Sequence, residues 1–307
     1  MKTIHSLGEL GHTRRKVCLA IGFFDGVHLG HQQIIRQTTT DARQHEALSL
    51  IVTFDRHPNS VVAPERAPAL IYPLAQKLQV IESLGVDTAL LVHFDKEFSQ
   101  ISGEAFIRSL ARDTGQLRSI CVGANFVFGH KRSGNVELLR KLGGELGFAV
   151  HGLAAVALDG KAVSSTRIRE AIVAGNLDEA GQMLGRGYSL FGKVMHGDEL
   201  GRQLGFPTAN LDVSGLVLPP SGVYAAQARV GRVFHRAVVN IGSRPTLQSA
   251  KPQLRVEAHL LDFTGDLYGR DLEIVFVEKL REEKKFPSLA DLRTQIARDI
   301  LDAQLKF

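Results

Sequence analysis

Two histidines three residues apart in a glycine-rich segment, Gly22-Phe-Phe-Asp-Gly-Val-His-Leu-Gly-His31, are the residues of this sequence best suited to gripping a phosphate. The segment follows the short β-forming run Val17 to Ile21, and Ile34, Ile35, Thr38 and Ala42 follow it at helical spacing, which predicts a strand-to-helix turn. Glycines let a backbone approach a ligand and adopt torsions barred to other residues. Unpaired N–H groups at a helix start attract anions, and His28 and His31 place further donors at the same spot. The segment is not Gly-x-Gly-x-x-Gly and lacks a Gly-Lys-Ser/Thr ending, so neither a dinucleotide fingerprint nor a P-loop is indicated. Zinc is a weaker alternative, because no further Cys or His follows at a familiar ligand spacing. Ordinary loop histidines are the plainest one.

Other residues carry chemistry of their own. Glu257 alternates with apolar neighbours in the run Val256 to Leu260, so it faces the opposite side of a strand and suits proton transfer; a solvent-facing glutamate is the alternative. Thr208 and Asn210 offer two oxygens suited to magnesium or phosphate, and Arg202, in the glycine-bearing segment Gly201 to Asn210, is placed to reach a phosphate. Gly192 to Gly197 permits a mobile flap, and Asn240 opens a polar turn through Thr246. Ser164-Ser-Thr-Arg-Ile-Arg169 starts a short helix with hydroxyls and then two arginines, where the helix dipole disfavours positive charge, and a bound anion would offset that cost. Asn125 suits either the polar edge of a base or ribose, or a turn. Lys131-Arg-Ser-Gly134 reads either as a basic loop over polyphosphate or as a solvated turn.

The elements that position these residues fall into two patterns. In the first half, apolar runs at Val17 to Ile21, Leu48 to Phe54, Thr88 to Phe94, Ser119 to Val122 and Phe148 to Leu153 alternate with helical segments, one capped by Ser102 and another stopped by Gly85. That order predicts a parallel sheet covered by helices on both faces, with ligands at the carboxyl ends of the strands. His57-Pro58 and Gly123 to Gly129 follow two such ends. The pattern changes at Gly185-Arg-Gly187. Beyond it six short alternating runs without helical periodicity, Tyr188 to Val194, Thr208 to Val213, Val223 to Val230, Val233 to Ile241, Leu254 to Phe263 and Glu273 to Leu280, predict a closed antiparallel barrel, with a two-residue hairpin turn at Gly231-Arg232. An amphipathic helix capped by Ser288 and Asp291 closes the chain, with Leu289, Leu292, Ile296 and Ile300 expected to face inward.

A chain of 307 residues, 44% hydrophobic and 22% charged, suits two globular domains. A net charge of +5 suits anionic small molecules without calling for nucleic acid, and Arg14-Arg15-Lys16 reads as a solvated loop. No apolar leader or membrane-length stretch is present, so a cytoplasmic location away from membranes is expected. Cys18 and Cys121 read as small buried hydrophobes rather than a disulfide. The oligomeric state is left open.

Taken together the motifs resemble the bacterial bifunctional riboflavin kinase and FMN adenylyltransferase family, also called FAD synthetase. The first half resembles its nucleotidyltransferase module through Gly22-x-Phe-Asp-Gly-x-His-x-Gly-His31, Val122-Gly-x-Asn-Phe-x-Phe-Gly129 and Ser164-Ser-Thr-x-x-Arg169. The second resembles its flavokinase module through Gly205-Phe-Pro-Thr-Ala-Asn210, Asn240-Ile-Gly-x-Arg-Pro-Thr246 and Val256-Glu-x-His-Leu-Leu-Asp-Phe263. The resemblance implies an α/β plus all-β chain: a Rossmann-like nucleotidyltransferase domain over residues 1–185 and a riboflavin kinase domain, a six-stranded barrel with a terminal helix, over residues 186–307. It implies ATP, riboflavin, FMN and FAD as partners and Mg2+ with the ATP. By motif position it implies catalytic roles for His28, His31 and Glu257; ATP or phosphate binding in the first half by Gly22, Phe24, Asp25, Gly26, His28, His31, Asn125, Ser164, Ser165, Thr166 and Arg169; and flavin binding by His57 and Pro58. In the second half it implies ATP or flavin binding by Gly197, Arg202, Gly205, Pro207, Thr208, Asn210, Asn240 and Arg244, with Thr208 and Asn210 toward the metal. One position departs: Arg56 stands before His57-Pro58 where the family usually has proline, and adds charge beside the expected pocket.

The two implied reactions make different demands. Phosphorylating an alcohol requires removal of a proton, which Glu257 can accept. Adenylylating a phosphate requires only alignment and donors for developing charge, which His28, His31 and the helix start can supply with help from Arg169. Two rival readings keep part of this: an adenylyltransferase for another phosphorylated acceptor, with the barrel as a specificity domain, and a flavin-binding regulator without turnover.

Overall fold

A computed structural model describes residues 1–10, 16–197, 199–244 and 253–307, with no side-chain description at 243, 244 and 253. Arg14 and Arg15 of the basic cluster, and Pro245 and Thr246 of the Asn240 motif, lie outside the described residues. Contacts divide the chain into two compact units, Met1–Leu70 with Leu74–Ser165, and Ile71–Pro73 with Thr166–Phe307.

The first unit carries β1 (Lys2–Ile4), β2 (Lys16–Ile21), α1 (Leu29–His45), β3 (Leu48–Phe54), α2 (Asn59–Val62), α3 (Leu74–Ser83), β4 (Thr88–Val92), α4 (Gly103–Thr114), β5 (Gln116–Gly123), a ribbon of β6 (Val127–Phe128) and β7 (Gly134–Asn135), α5 (Val136–Leu146), β8 (Ala149–Leu153) and a second ribbon of β9 (Ala157–Leu158) and β10 (Lys161–Ala162). Six strands form one parallel sheet in the order β1-β4-β3-β2-β5-β8. Alternate residues of β2 enter two cores: Val17, Leu19 and Ile21 pack with Ile107 and Leu110 of α4 and Leu139 of α5, while Ala20 packs with Ile35 of α1 and Ile81 of α3. Both faces are thereby covered, which is why β2 and β3 read as continuous apolar runs. The strand β1 is additional to the sequence reading; three residues beginning with Lys2 leave no periodic signal.

The strand order reverses between β2 and β5, and a ligand crevice opens outside the carboxyl ends of strands at such a point. Away from the crevice, the later turns of α1 are fastened to the sheet by buried Asp41, whose Oδ2 accepts from Ser119 Oγ of β5 at 2.8 Å and lies 3.2 Å from His151 Nε2 of β8. Both thiols are buried, and burial pushes the Cys121 thiol up to about 12, so it is inert at neutral pH.

The second unit opens with α6 (Ser165–Val173), whose first residue still groups with the first unit, and α7 (Leu177–Leu184), then β11 (Ser189–Met195), α8 (Leu200–Gln203), β12 (Ala209–Leu211), β13 (Gly222–Val230), β14 (Val233–Arg244), β15 (Gln253–Leu260), β16 (Asp271–Arg281) and α9 (Leu289–Gln304). The helices α6 and α7 thus group with the barrel, ahead of the composition change at Gly185. The strands close into an antiparallel barrel in the order β11-β12-β15-β14-β13-β16, and Val230 pairs with Val233 across the Gly231-Arg232 turn. The four-residue α8 interrupts a stretch read as free of helix, being too short to leave a period.

Ser288 caps α9, accepting from the Asp291 N–H at 3.1 Å. Ala303 and Ile300 pack on Val223, Ala225 and Val238 of the barrel, and Arg281 donates to both carboxylate oxygens of buried Asp299 at 2.8 and 2.6 Å. Leu289, expected to face inward, is instead 60% exposed: it is the first residue of the helix, and burial is complete only near the far end, at Asp299 and Ala303.

Candidate functional sites

In the first unit the glycine-rich segment forms the turn between β2 and α1. A β-carbon at Gly22 would stand 2.9 Å from the Phe24 ring, so the close approach there requires glycine. Phe24 is buried and held at φ 56°, a left-handed conformation that costs a non-glycine residue of order 1 kcal/mol or more. Asp25, Gly26 and Val27 form one tight turn, and Ser165 Oγ donates to the Asp25 carbonyl at 3.1 Å, bracing it. His28 is the N-cap of α1: its Nδ1 accepts from the His31 N–H at 3.4 Å, and the two imidazoles stack at 3.6 Å. The spacing that suggested paired donors therefore also caps the helix.

Burial, followed by the positive fields of His28 and Lys77, holds the His31 ring well below the usual histidine range, so it is neutral at pH 7. Its Nδ1 is buried and has no hydrogen-bond partner among the described residues, a costly arrangement unless a ligand atom meets it. A cavity of about 290 Å³ opens here, lined by Gly22, Phe24, His28, His31 and Asn125 among others. The structure thus brings those five residues together; Asp25 and Gly26 shape the turn behind them. Ser164 precedes α6 and is not among the lining residues. Thr166 and Arg169 lie on α6, where contacts pass to the second unit. Arg167, in the first turn of α6, is paired with Glu179 at 2.7 Å, which offsets the cost of its position against the helix dipole.

A second cavity of about 920 Å³ shares Gly22, Phe23 and Phe126 with the first. Its wall is a chain of edge-to-face rings running Phe54, Phe94, Phe98, Phe106, Phe128, with centroids 5.5 to 6.4 Å apart. Pro58 lines it directly, whereas His57 rests edge-on against Phe23 at 4.8 Å and accepts from the Asn59 N–H at 3.0 Å, so it braces the wall. Lys131 and Arg132 stand at its rim, and Arg56 is paired with Asp55 at 3.3 Å. An apolar slot of this size ringed by cations suits a flat aromatic ligand bearing an anion. The sequence reading assigned flavin binding only to His57 and Pro58 and gave the rings no role; the missed signal is phenylalanine recurring at or just after the ends of β3, β4 and β5.

In the second unit β12, β15 and β14 run side by side, and their register sets Asn210, Glu257 and Asn240 in one row. Val256, Ala258 and Leu260 are buried on the other face, as alternation requires. Glu257 is half-buried rather than solvent-facing, in a cavity of about 390 Å³ with Thr208, Asn210, Asn240, Arg255 and Glu283. Gly192 to Met195, expected to form part of a mobile flap, are instead paired within barrel strand β11; just beyond it, a β-carbon at Gly197 would overlap the Asn210 amide, so the backbone there lies directly on that side chain. An adjoining cavity of about 610 Å³ is lined by Arg202, Pro207, Thr208, Asp266 and Tyr268 among others; Thr208 and Glu199 line both. His259 Nδ1 stands 2.8 Å from the Pro207 carbonyl and ties that turn to β15. Gly205 sits in the turn between α8 and β12, and Arg244 ends β14 with its side chain outside the description. Arg255 and Glu283 are additions that the sequence reading did not single out.

Among the described residues no group of three His, Cys, Asp or Glu side chains is disposed to hold a metal. Thr208 and Asn210 instead offer neutral oxygens beside the carboxylate of Glu257, a donor set that fits a small hard cation keeping most of its shell from phosphates and water. No helix among the described residues is long and apolar enough to cross a membrane.

The two units correspond to two known families in sequence. A family model described as FAD synthetase matches residues 11–167, and one described as riboflavin kinase matches residues 184–307. The chain is 38% identical to the bifunctional riboflavin kinase/FMN adenylyltransferase of Escherichia coli K12 over 309 aligned residues, covering 100% of this chain and 98% of that protein. It is 36% identical to the protein of the same description from Haemophilus influenzae, covering 100% and 99%. Among solved structures, a macrolide-efflux protein from Streptococcus pneumoniae superposes with a TM-score of 0.82 at 27% identity, covering 98% of each chain. With two domain families in the matching order and full-length relatives at this identity, the chain belongs to the bifunctional riboflavin kinase/FMN adenylyltransferase family.

Proposed function

We propose that residues 186–307 phosphorylate riboflavin with ATP to give FMN and ADP, and that residues 1–185 join FMN to the adenylyl group of a second ATP, releasing pyrophosphate. The observation that carries this reading is a repeated arrangement: in each half two cavities adjoin across a shared wall, where one substrate from each side can meet.

In the kinase half, the larger cavity takes ATP and the Glu257 cavity takes the flavin's ribityl end, so the reacting phosphoryl group lies beside Thr208. The terminal hydroxyl attacks the γ-phosphorus as the bond to ADP breaks, and its proton passes to the Glu257 carboxylate. Asn210 and Asn240 flank that carboxylate in register and hold it toward the hydroxyl. Thr208 and Asn210 would hold Mg2+, which when bound neutralises charge on the phosphates. Arg202, 74% exposed and 4.0 Å from Glu199, lines the larger cavity and is placed to reach a phosphate of the nucleotide.

In the adenylyltransferase half, the isoalloxazine lies along the phenylalanine wall and the FMN phosphate reaches past Phe23 into the His28–His31 cavity. A phosphate oxygen attacks the α-phosphorus and the pyrophosphate oxygen leaves; no proton needs removal from the nucleophile. His28, the neutral His31 and the N–H groups opening α1 take up charge as it develops, and Asn125 orients the nucleotide. Ser165 braces the turn that carries these donors through the Asp25 carbonyl. The reading places the enzyme in the cytoplasm, where ATP is supplied and free buried thiols persist.

Incubation with riboflavin and ATP, followed by chromatographic separation of the flavins, tests it. FMN then FAD is expected; neither flavin product accumulating would refute it.

A further inference from the structure

Lys77, on α3, is 3% exposed, and lysine is rarely buried without a reason. Its ammonium has three N–H donors, and three acceptors meet them: the Phe54 carbonyl at 2.9 Å, the Phe23 carbonyl at 3.1 Å and Thr53 Oγ1 at 3.2 Å. Thr53 Oγ1 itself donates to the Phe23 carbonyl at 3.1 Å. The same ammonium stands 4.3 Å from the centre of the Phe23 ring. One cation therefore clasps the ends of β2 and β3 to each other and holds both the backbone and the ring of Phe23. Phe23 is also a shared wall of the two cavities, and Phe24, next to it, is the strained residue that seats edge-on against His31 at 5.3 Å.

We infer that Lys77 is the positioning residue of the adenylyl-transfer site: it fixes the Phe23-Phe24 turn that sets the acceptor cavity against the phosphate cavity, and it keeps a positive charge behind that turn. This rests on the function proposed above for the first half. A methionine would fill the same space at a lower desolvation cost, but would leave the Phe54 carbonyl without this partner and remove the charge. The charged groups facing it are Asp25 on the turn and Asp55 after β3, which favour the ammonium, and His31 on α1, whose proton affinity it lowers. Burial outweighs the two aspartates, and the ammonium is brought down to about 8. The clasp is thus charged at neutral pH and is lost as pH rises through that value.

The test compares the full-length protein with Lys77→Met and Lys77→Arg, measuring FAD formation from supplied FMN and ATP between pH 6.5 and 9.5. Riboflavin phosphorylation in the same preparations is the internal reference. Lys77→Met should lower kcat for FAD formation by about 100-fold, the scale of a misplaced reacting group, with phosphorylation unchanged. Lys77→Arg should retain most of that activity, and the alkaline fall of kcat/KM, present in the parent near pH 8, should move upward because guanidinium does not deprotonate. A purely structural lysine would give no alkaline limb that follows the Lys-to-Arg exchange. Lys77→Met with parental kcat, or Lys77→Arg with the parental pH profile, overturns the inference. If Lys77→Met fails to fold, the parent and Lys77→Arg profiles decide alone. A parent protein that makes FMN but never FAD instead overturns the function proposed for the first half.

Discussion

Replacing Glu257 with Gln isolates the proton-transfer step of the kinase half. The substitution keeps side-chain volume and hydrogen-bonding capacity between Asn210 and Asn240, so the half-buried site is disturbed little, by about 1 kcal/mol or less in stability. What is removed is the ability to accept a proton from the attacking hydroxyl. General-base catalysis supplies roughly 10²- to 10⁴-fold, which at 1.36 kcal/mol per tenfold is about 2.7 to 5.4 kcal/mol of barrier. Neither substrate's binding depends on that proton, so the loss should fall on kcat while KM for riboflavin and ATP moves by less than about threefold. Steady-state assays of FMN formation measure the loss, and conversion of supplied FMN to FAD by the same protein shows that the other half is intact. A Glu257→Gln protein that phosphorylates riboflavin within a factor of three of the parent would remove Glu257 from the chemistry. Equal loss of both activities would show that the two halves are not separable as described.

Three other outcomes follow from the geometry. His28→Ala should reduce FAD formation by about 10²- to 10³-fold, as loss of an oxyanion donor does, with an added cost of about 1 kcal/mol from the uncapped α1; an unchanged FAD yield would exclude His28 from the mechanism. His31 is neutral in the folded state, with its proton affinity depressed by burial and by the His28 and Lys77 fields, so the unfolded chain binds the extra proton: its contribution to stability is complete above pH 6.5 and declines as pH falls below it. Denaturant melts of the parent between pH 7.5 and 5 should therefore show a slope that His31→Gln flattens; identical slopes would count against a neutral His31. Gly197→Ala should push the Asn210 amide aside and cut riboflavin phosphorylation by about tenfold or more while FAD formation from FMN continues, and a crystal structure of the variant with Asn210 unmoved would contradict that account.

Much of this protein was legible in residue order alone. Burial on both faces of a parallel sheet writes itself as continuous apolar runs, and amphipathic helices between them write a 3.6-residue period, so the strand-helix alternation of the first half and the six-strand run of the second could be read locally. The strand-turn-helix at Gly22 to His31 is likewise local, since the glycines, the cap and the helix start are contiguous. Glu257 was legible through alternation within a single strand.

What sequence order could not convey is adjacency across the chain. The ring wall draws Phe54, Phe94, Phe98, Phe106 and Phe128 from separate strand ends and helices, and no period links them. Lys77 carries no signal of its own within the helix, and only the fold sets its ammonium against the ends of two strands. The pairing of Arg167 with Glu179 likewise needs α7 to be folded beside α6. The row of Asn210, Glu257 and Asn240 exists only because three strands pair in one register, and a slip of one residue would turn each to the opposite face. Local pattern reports which side of an element is buried; which elements meet there is settled by long-range packing, whose energy depends on pairs of residues far apart in the chain.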